Sequence, residues 1–265
     1  MAVTVRTSVI AALAIMVLAG PTAAQVMSPA GLLQPASVAA SDLPAPTATA
    51  GGPAPSYSDY FEALGYSFSR GLFTSEQAPP LAIGSAASLA LWPVDERVSR
   101  AVRGRVGGLG KAGGIIGSPM VMGGLSAGLM VGSLGSDDTR FRTYAFALSQ
   151  GLIVAGSLTA ATKLATRRTR PNGSNRRSFS SGHAAATFAL ATVSSHSYGR
   201  KAAIPLYALA GAVAFSRVTS GNHYPSDAVA GATIGYLAGR AAILAARHVS
   251  VGSSSEGGVS VSFVF

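Results

Sequence analysis

Cysteine is absent from the 265-residue chain, which excludes a disulfide framework, thiolate zinc or iron–sulfur sites and a cysteine nucleophile. Acidic residues are scarce: ten Asp and Glu stand against twenty Lys and Arg, a formal charge of +10. Charged residues of both signs make up only 11% of the chain while apolar ones reach 48%. A disordered polar chain is thereby excluded, and a greasy globular or membrane-embedded protein remains. Aromatics amount to 7% and are not interleaved with the basic residues, which speaks against nucleic-acid binding. The positive excess suits anionic partners such as phosphate esters or acidic lipid head groups.

At the N-terminus, Arg6 precedes the apolar run VIAALAIMVLAG and the small-residue stretch PTAAQ. This pattern predicts an export signal over residues 1–24, cleaved after Ala24, because the apolar core is short for a membrane span. Residues 25–58 are rich in Pro, Ala, Ser and Thr with almost no charge, a composition expected to form a flexible tether. A helical domain follows over 59–250, then a tail at 251–265 whose GGVSVSFVF alternation is compatible with a short strand or a frayed end.

Within the domain the pattern predicts an all-α, antiparallel bundle of about six core helices. An amphipathic opening places Phe61, Leu64, Phe68 and Leu72 at helical steps, with Ser58 as cap and Phe61 on the inner face. Apolar stretches then run over 81–92, 113–134, 144–162, 184–197, 201–215 and 226–247. The second and third are long enough to span a bilayer, and the basic segment from Arg97 to Lys111 suits a cytoplasmic loop. If all six stretches crossed after a cleaved signal, the loop after Lys163 would face the cytoplasm. That conflict with export disappears if the first stretch does not cross, or if the bundle is soluble in the periplasm.

Between Asp138 and Glu256 the only acidic residue is Asp227, against thirteen Lys and Arg. Cations without protein carboxylates need an anionic ligand, a bilayer surface or solvent. Lys163, Arg170 and Pro171 stand as K-x6-RP where an apolar stretch stops at a proline. In SSGHAAATFAL, Ser180 or Ser181 can cap the next helix, Gly182 lets backbone N–H groups approach an anion, and His183 is placed to protonate a leaving oxygen. In SRVTSGNHYPSD, Arg217 precedes His223, and Asp227 lies four residues beyond it. That step lets the carboxylate accept from His223 Nδ1 and leave Nε2 free. Two helices separate the loops, so both emerge at one end of an up-and-down bundle.

These clusters resemble the type 2 phosphatidic acid phosphatase superfamily, which also holds bacterial class A acid phosphatases and vanadium-dependent haloperoxidases. Lys163, Arg170 and Pro171 match its first motif. Ser181, Gly182 and His183 match the second, and Ser216, Arg217, His223 and Asp227 the third. Ser180 stands where the family has proline, and the interval from Pro171 to Ser180 is short. The resemblance implies a phosphatase acting on phosphate monoesters or lipid (pyro)phosphates. Lys163, Arg170, Ser181, Gly182 and Arg217 would hold the phosphoryl group; His223 would attack it, oriented by Asp227, and His183 would protonate the leaving group. No metal or other cofactor is expected, since three cations serve in its place. A vanadium haloperoxidase, generally much longer, and an inactive bundle that kept the fold are the alternatives. Arg167, Arg168, Arg176 and Arg177 lie outside the motifs and read as a solvated or lipid-facing rim. The expected partner is a phosphorylated small molecule or lipid phosphate, with the protein exported and periplasmic or membrane-associated. The sequence does not give an oligomeric state.

Overall fold

The segment 139–166 forms a single helix because Asp138 Oδ1 accepts from the N–H groups of Arg140 (2.9 Å) and Phe141 (3.2 Å) at its start, while nothing breaks its interior. It stops where Arg167 turns left-handed at φ 47°. The computed structural model describes residues 57, 59–105 and 107–252, all within the unit 51–265. The expected signal, the tether apart from Tyr57, the Ser58 cap and residues 253–265 of the tail lie outside the described residues.

Among the described residues nine α-helices follow in order: α1 Asp59–Tyr66, α2 Ala78–Leu91, α3 Asp95–Val102, α4 Gly107–Ile116, α5 Pro119–Leu134, α6 Thr139–Thr166, α7 Gly182–Tyr198, α8 Arg200–Thr219 and α9 Pro225–Gly252. A π-helical turn extends α1 and short 3-10 turns flank α2. No strand occurs among the described residues, and the all-α bundle is the observed class. Helix α7 is the central member, packed on α6, α8 and α9. Its core is small: Ala184, Ala189, Ala191, Val193, Ala238, Ala241 and Ala242 are fully buried or nearly so. Small side chains let the helix backbones come close, which is how this alanine- and glycine-rich composition builds a tight core.

Four elements depart from expectation. The stretch 113–134 is two helices, broken at Gly117–Ser118, where Ser118 Oγ accepts from Val121 N (3.2 Å) with Pro119 in the first turn. Phe61 faces outward at 75% exposure. Its neighbour Tyr60 takes the inner face instead, since its ring stacks edge-on against Phe146 and its hydroxyl bonds Ser149 Oγ at 2.7 Å. Residues 251–252 of the expected tail continue α9. The basic segment after Arg97 folds against the end of the bundle that carries the 167–181 and 220–224 loops. There Arg103 Nη2 donates to Pro171 O at 2.6 Å and Gly104 N to Thr219 O at 3.0 Å. It therefore shares a side with those loops, and its charge gives no independent mark of the cytoplasm.

By length and composition four segments can cross a membrane: Gly110–Leu134, Thr139–Thr166, Arg200–Thr219 and Pro225–His248. In the first, only 11% of the apolar window is buried, and Ile115, Met120, Val131 and Leu134 point outward. Such a belt of large exposed apolar side chains is what a lipid-facing surface requires.

Candidate active site

The two loops meet. Arg170 Nη1 donates to Asn222 Oδ1 (3.0 Å), Asn172 N to Gly221 O (3.0 Å) and Ser181 N to Asp227 O (3.0 Å). The eight residues singled out from the sequence are thereby brought to one end of the bundle. Lys163 comes from the last turn of α6, His183 from the first turn of α7, Arg217 from the last turn of α8 and Asp227 from the first turn of α9.

His223 is almost wholly buried, at 2% exposure. The expected Nδ1–Asp227 hydrogen bond is replaced. Nδ1 donates to Ser178 O at 2.6 Å, while Asp227 Oδ2 stays 3.7 Å away as an electrostatic neighbour. The reason is competition for the carboxylate, because Asp227 already accepts from Ser178 Oγ (2.5 Å), Tyr224 N (2.8 Å) and Arg168 Nη1 (2.7 Å). Nδ1 still carries the proton and Nε2 is still the free nitrogen. Burial holds His223 below the usual imidazole range against the opposing pull of Asp227.

Lys163 Nζ donates to Ser180 O. Ser180 N, a donor that proline would lack, bonds Thr162 Oγ1 at 3.3 Å. The serine thus anchors its loop to α6 by a bond that a proline at this position could not make. Ser181 Oγ caps α7 through Ala184 N (3.4 Å), and Gly182 has open space on its Cβ side, with Thr159 Oγ1 the nearest atom at 3.9 Å. The Nε atoms of Arg170 and Arg217 are buried with no hydrogen-bond partner among the described residues. Neither guanidinium is paired with a carboxylate. Lys163 and Arg170 act electrostatically on His223, and Arg217 and Arg170 on His183. These cations converge with no ion pair to a carboxylate among the described residues, Asp227 acting on Lys163 and Arg170 only from a distance, the arrangement that binds a tetrahedral anion.

His183 Nε2 donates to Gly114 O at 3.1 Å, so α4 roofs this part of the site. The contact needs glycine: a Cβ on Gly114 would lie 2.8 Å from Arg217 Nη1, and one on Gly117 3.0 Å from His183 Cβ. Desolvation first, then Arg217, push His183 down to about 4 from an ordinary 6.5. The unfolded chain therefore binds a proton on this ring between pH 6.5 and 4 that the folded protein refuses, and stability falls as pH drops through that window. The melting temperature of the detergent-solubilised protein is expected to decline across it, and His183→Gln to flatten the decline; an unchanged slope in the variant would refute this assignment.

Sequence reasoning missed Asp95, Arg168, Ser178 and Ser226. Arg168, read there as rim, is instead paired with Asp95 and Asp227, both at 2.7 Å, with 15% of its side chain exposed. Ser178 was silent because its tie to His223 runs through its backbone carbonyl, and its hydroxyl meets Asp227 only across the fold. The remaining arginines of the loop, Arg167, Arg176 and Arg177, line an open cleft with Lys163, Leu164 and Asn175.

Residues 144–249 match the PAP2 superfamily model. A 92-residue stretch is 34% identical to Lipid A 1-phosphatase of Porphyromonas gingivalis, covering 34% of this chain and 21% of that protein, so the match spans about a fifth of the relative's length. No solved structure matches. The matched segment runs from Tyr144 to beyond His248 and holds every motif residue from Lys163 to Asp227, so it is this part of the chain, helices α6 to α9, that is similar to the PAP2 superfamily.

Proposed function

We propose that the protein is a membrane-embedded phosphatase that removes phosphate from lipid phosphomonoesters through a phosphohistidine on His223. The observation that carries this reading is the pairing of a buried, Nδ1-tethered imidazole with cations that have no carboxylate of their own. Lys163, Arg170 and Arg217 take the phosphoryl oxygens and offset charge in the transition state. His223 Nε2 attacks phosphorus, the phosphorus–oxygen ester bond breaks, and the leaving alkoxide takes a proton from His183. An anionic phosphoryl group next to His183 counters the cations that depress it, so this ring takes up its proton as substrate binds. His183, then neutral, accepts a proton from water as that water cleaves the phosphorus–nitrogen bond, and inorganic phosphate departs. The lipid character of the substrate is supported by the outward apolar belt and by the similarity to a lipid A 1-phosphatase. Export to the periplasm belongs to the same reading and rests on residues 1–24.

The test is phosphate release from short-chain phosphatidic acid and from lipid A in EDTA, with rapid quenching to trap the enzyme. An acid-labile, base-stable phosphoryl group on the peptide containing His223 is expected. A folded protein that releases no phosphate from either lipid and traps none would overturn the reading.

A further inference from the structure

We propose that Arg168 is a positioning residue, shared between Asp95 and Asp227 so as to set how much negative charge Asp227 presents to His223. Unlike Arg167, Arg176 and Arg177 of the same loop it is drawn inward, and each face of its guanidinium is used. Nη1 donates to Asp227 Oδ1 (2.7 Å) and Ser226 Oγ (2.8 Å), and Nη2 to Asp95 Oδ2 (2.7 Å). The plane lies between the rings of Trp92, 3.8 Å from its centroid, and Tyr224, at 4.1 Å. Arg168 O also accepts from Ser178 N at 2.9 Å, so the same residue holds the carbonyl that tethers His223 Nδ1. Asp95 is fixed in turn by Ser226, whose N–H donates to Oδ1 at 3.0 Å and whose hydroxyl donates to Oδ2.

Asp95 and Asp227 are 1% and 0% exposed. Two buried carboxylates against one buried cation leave a net negative charge, which is costly unless another cation is near. Lys163 and Arg170 lie within electrostatic reach of Asp227, and the ring of His223 adds a further cation as it becomes positively charged on attack. Asp95 draws on Arg168 from the far side of the guanidinium and so keeps that arginine from cancelling Asp227 outright. A lysine could not serve both, since a single ammonium lacks the fork that bridges two carboxylates.

The consequence is signed. His223 faces Asp227 from α9, Lys163 from α6, His183 from α7 and Arg170 and Ser178 from the loop, and its N–H bonds Arg217 O at the end of α8. Removing the charge of Arg168 frees Asp227 to act fully on His223, and the ring then titrates at higher pH. Removing the charge of Asp95 gives Arg168 wholly to Asp227, and the ring then titrates at lower pH.

The direct experiment is NMR titration of the histidine side chains in detergent; with only four histidines in the chain, His223 is assigned by comparison with His223→Asn. Relative to wild type, Arg168→Gln is expected to raise the His223 titration and Asp95→Asn to lower it, each by about half a unit or more. Arg168→Lys, which keeps the charge without the fork and is the fallback should the glutamine variant not fold, is expected to differ from wild type in the same direction as Arg168→Gln but by less. In turnover, Arg168→Gln lowers kcat about 10- to 100-fold, as loss of a partner that orients a working histidine does elsewhere, with KM changed by less than about threefold. Equal titrations in all variants, or shifts of one sign, would reduce Arg168 to a structural ion pair and overturn the proposal. The proposal rests on the phosphatase reading only for its kinetic arm. Opposite shifts in a protein that releases no phosphate would uphold the coupling and count against the phosphatase reading instead.

Discussion

Replacing His223 by asparagine is expected to lower phosphate release by a factor on the order of 10⁴ in kcat, with the protein still folded. Asparagine places an amide N–H close to where Nδ1 now donates to Ser178 O, so the loop tether survives while the attacking nitrogen is gone. Alanine removes both, leaving Ser178 O without its donor, and is expected to be as inactive and somewhat less stable. Measuring phosphate release and thermal unfolding on the two variants side by side separates chemistry from folding. If His223→Asn kept more than about a hundredth of wild-type turnover, another residue would have to make the bond to phosphorus, and the mechanism above would fail. No loss of substrate affinity is needed for this effect, because Lys163, Arg170 and Arg217 are untouched.

A Leu at position 235 is expected to lower stability by about 3 kcal/mol or more, the upper part of the range for overpacked cores. Helix α9 lies against α7 with no side chain between them at this point: a Cβ on Gly235 would overlap Ala185 O and sit 2.9 Å from Ala185 C, both backbone atoms that cannot rotate away. Gly231 makes the same approach to Ser181 O, one turn nearer the site. The helices must therefore separate, and with them Ser181 from Asp227, whose backbone groups now bond at 3.0 Å. Activity should fall with stability rather than independently of it. The control is Gly124→Ala on α5, where nothing lies within 4 Å of the added carbon; there the helix is expected to gain about 0.5–1 kcal/mol. Thermal unfolding in the same detergent checks both, and a Gly235→Leu protein melting with wild type would show that α7 and α9 are not in backbone contact.

Much of the site was legible because spacing and charge carried it. The K-x6-RP step, the serine before Gly182 and the four-residue interval from His223 to Asp227 are local, and the rule that alternate loops share an end of a bundle put them together. What was not legible depends on contacts without a local signature. Asp95 lies 73 residues from Arg168, on a short polar helix outside the apolar pattern. Counting acids only from Asp138 onward made Asp227 look solitary. Ser178 contributes a backbone carbonyl, which no side-chain pattern encodes. In the fold, two adjacent aromatics offered the inner face of α1, and only the presence of Ser149 for a hydroxyl selects Tyr60 over Phe61. The break before Pro119 was hidden by apolar residues on both sides, although Ser118 and Pro119 form a recognisable helix start.

The roof of the site has a consequence for selectivity. Where α4 meets Arg217 and His183 it offers only glycine backbone, and a wall without side chains cannot tell one ester substituent from another by charge or shape. On the phosphatase reading proposed above, discrimination among phosphorylated lipids falls to the flank formed by the end of α6 and the loop after it. There Leu164, Arg167, Arg176 and Arg177 border the cleft beside Lys163, and exchange of residues in that short loop would retune substrate preference without disturbing the groups that break the bond.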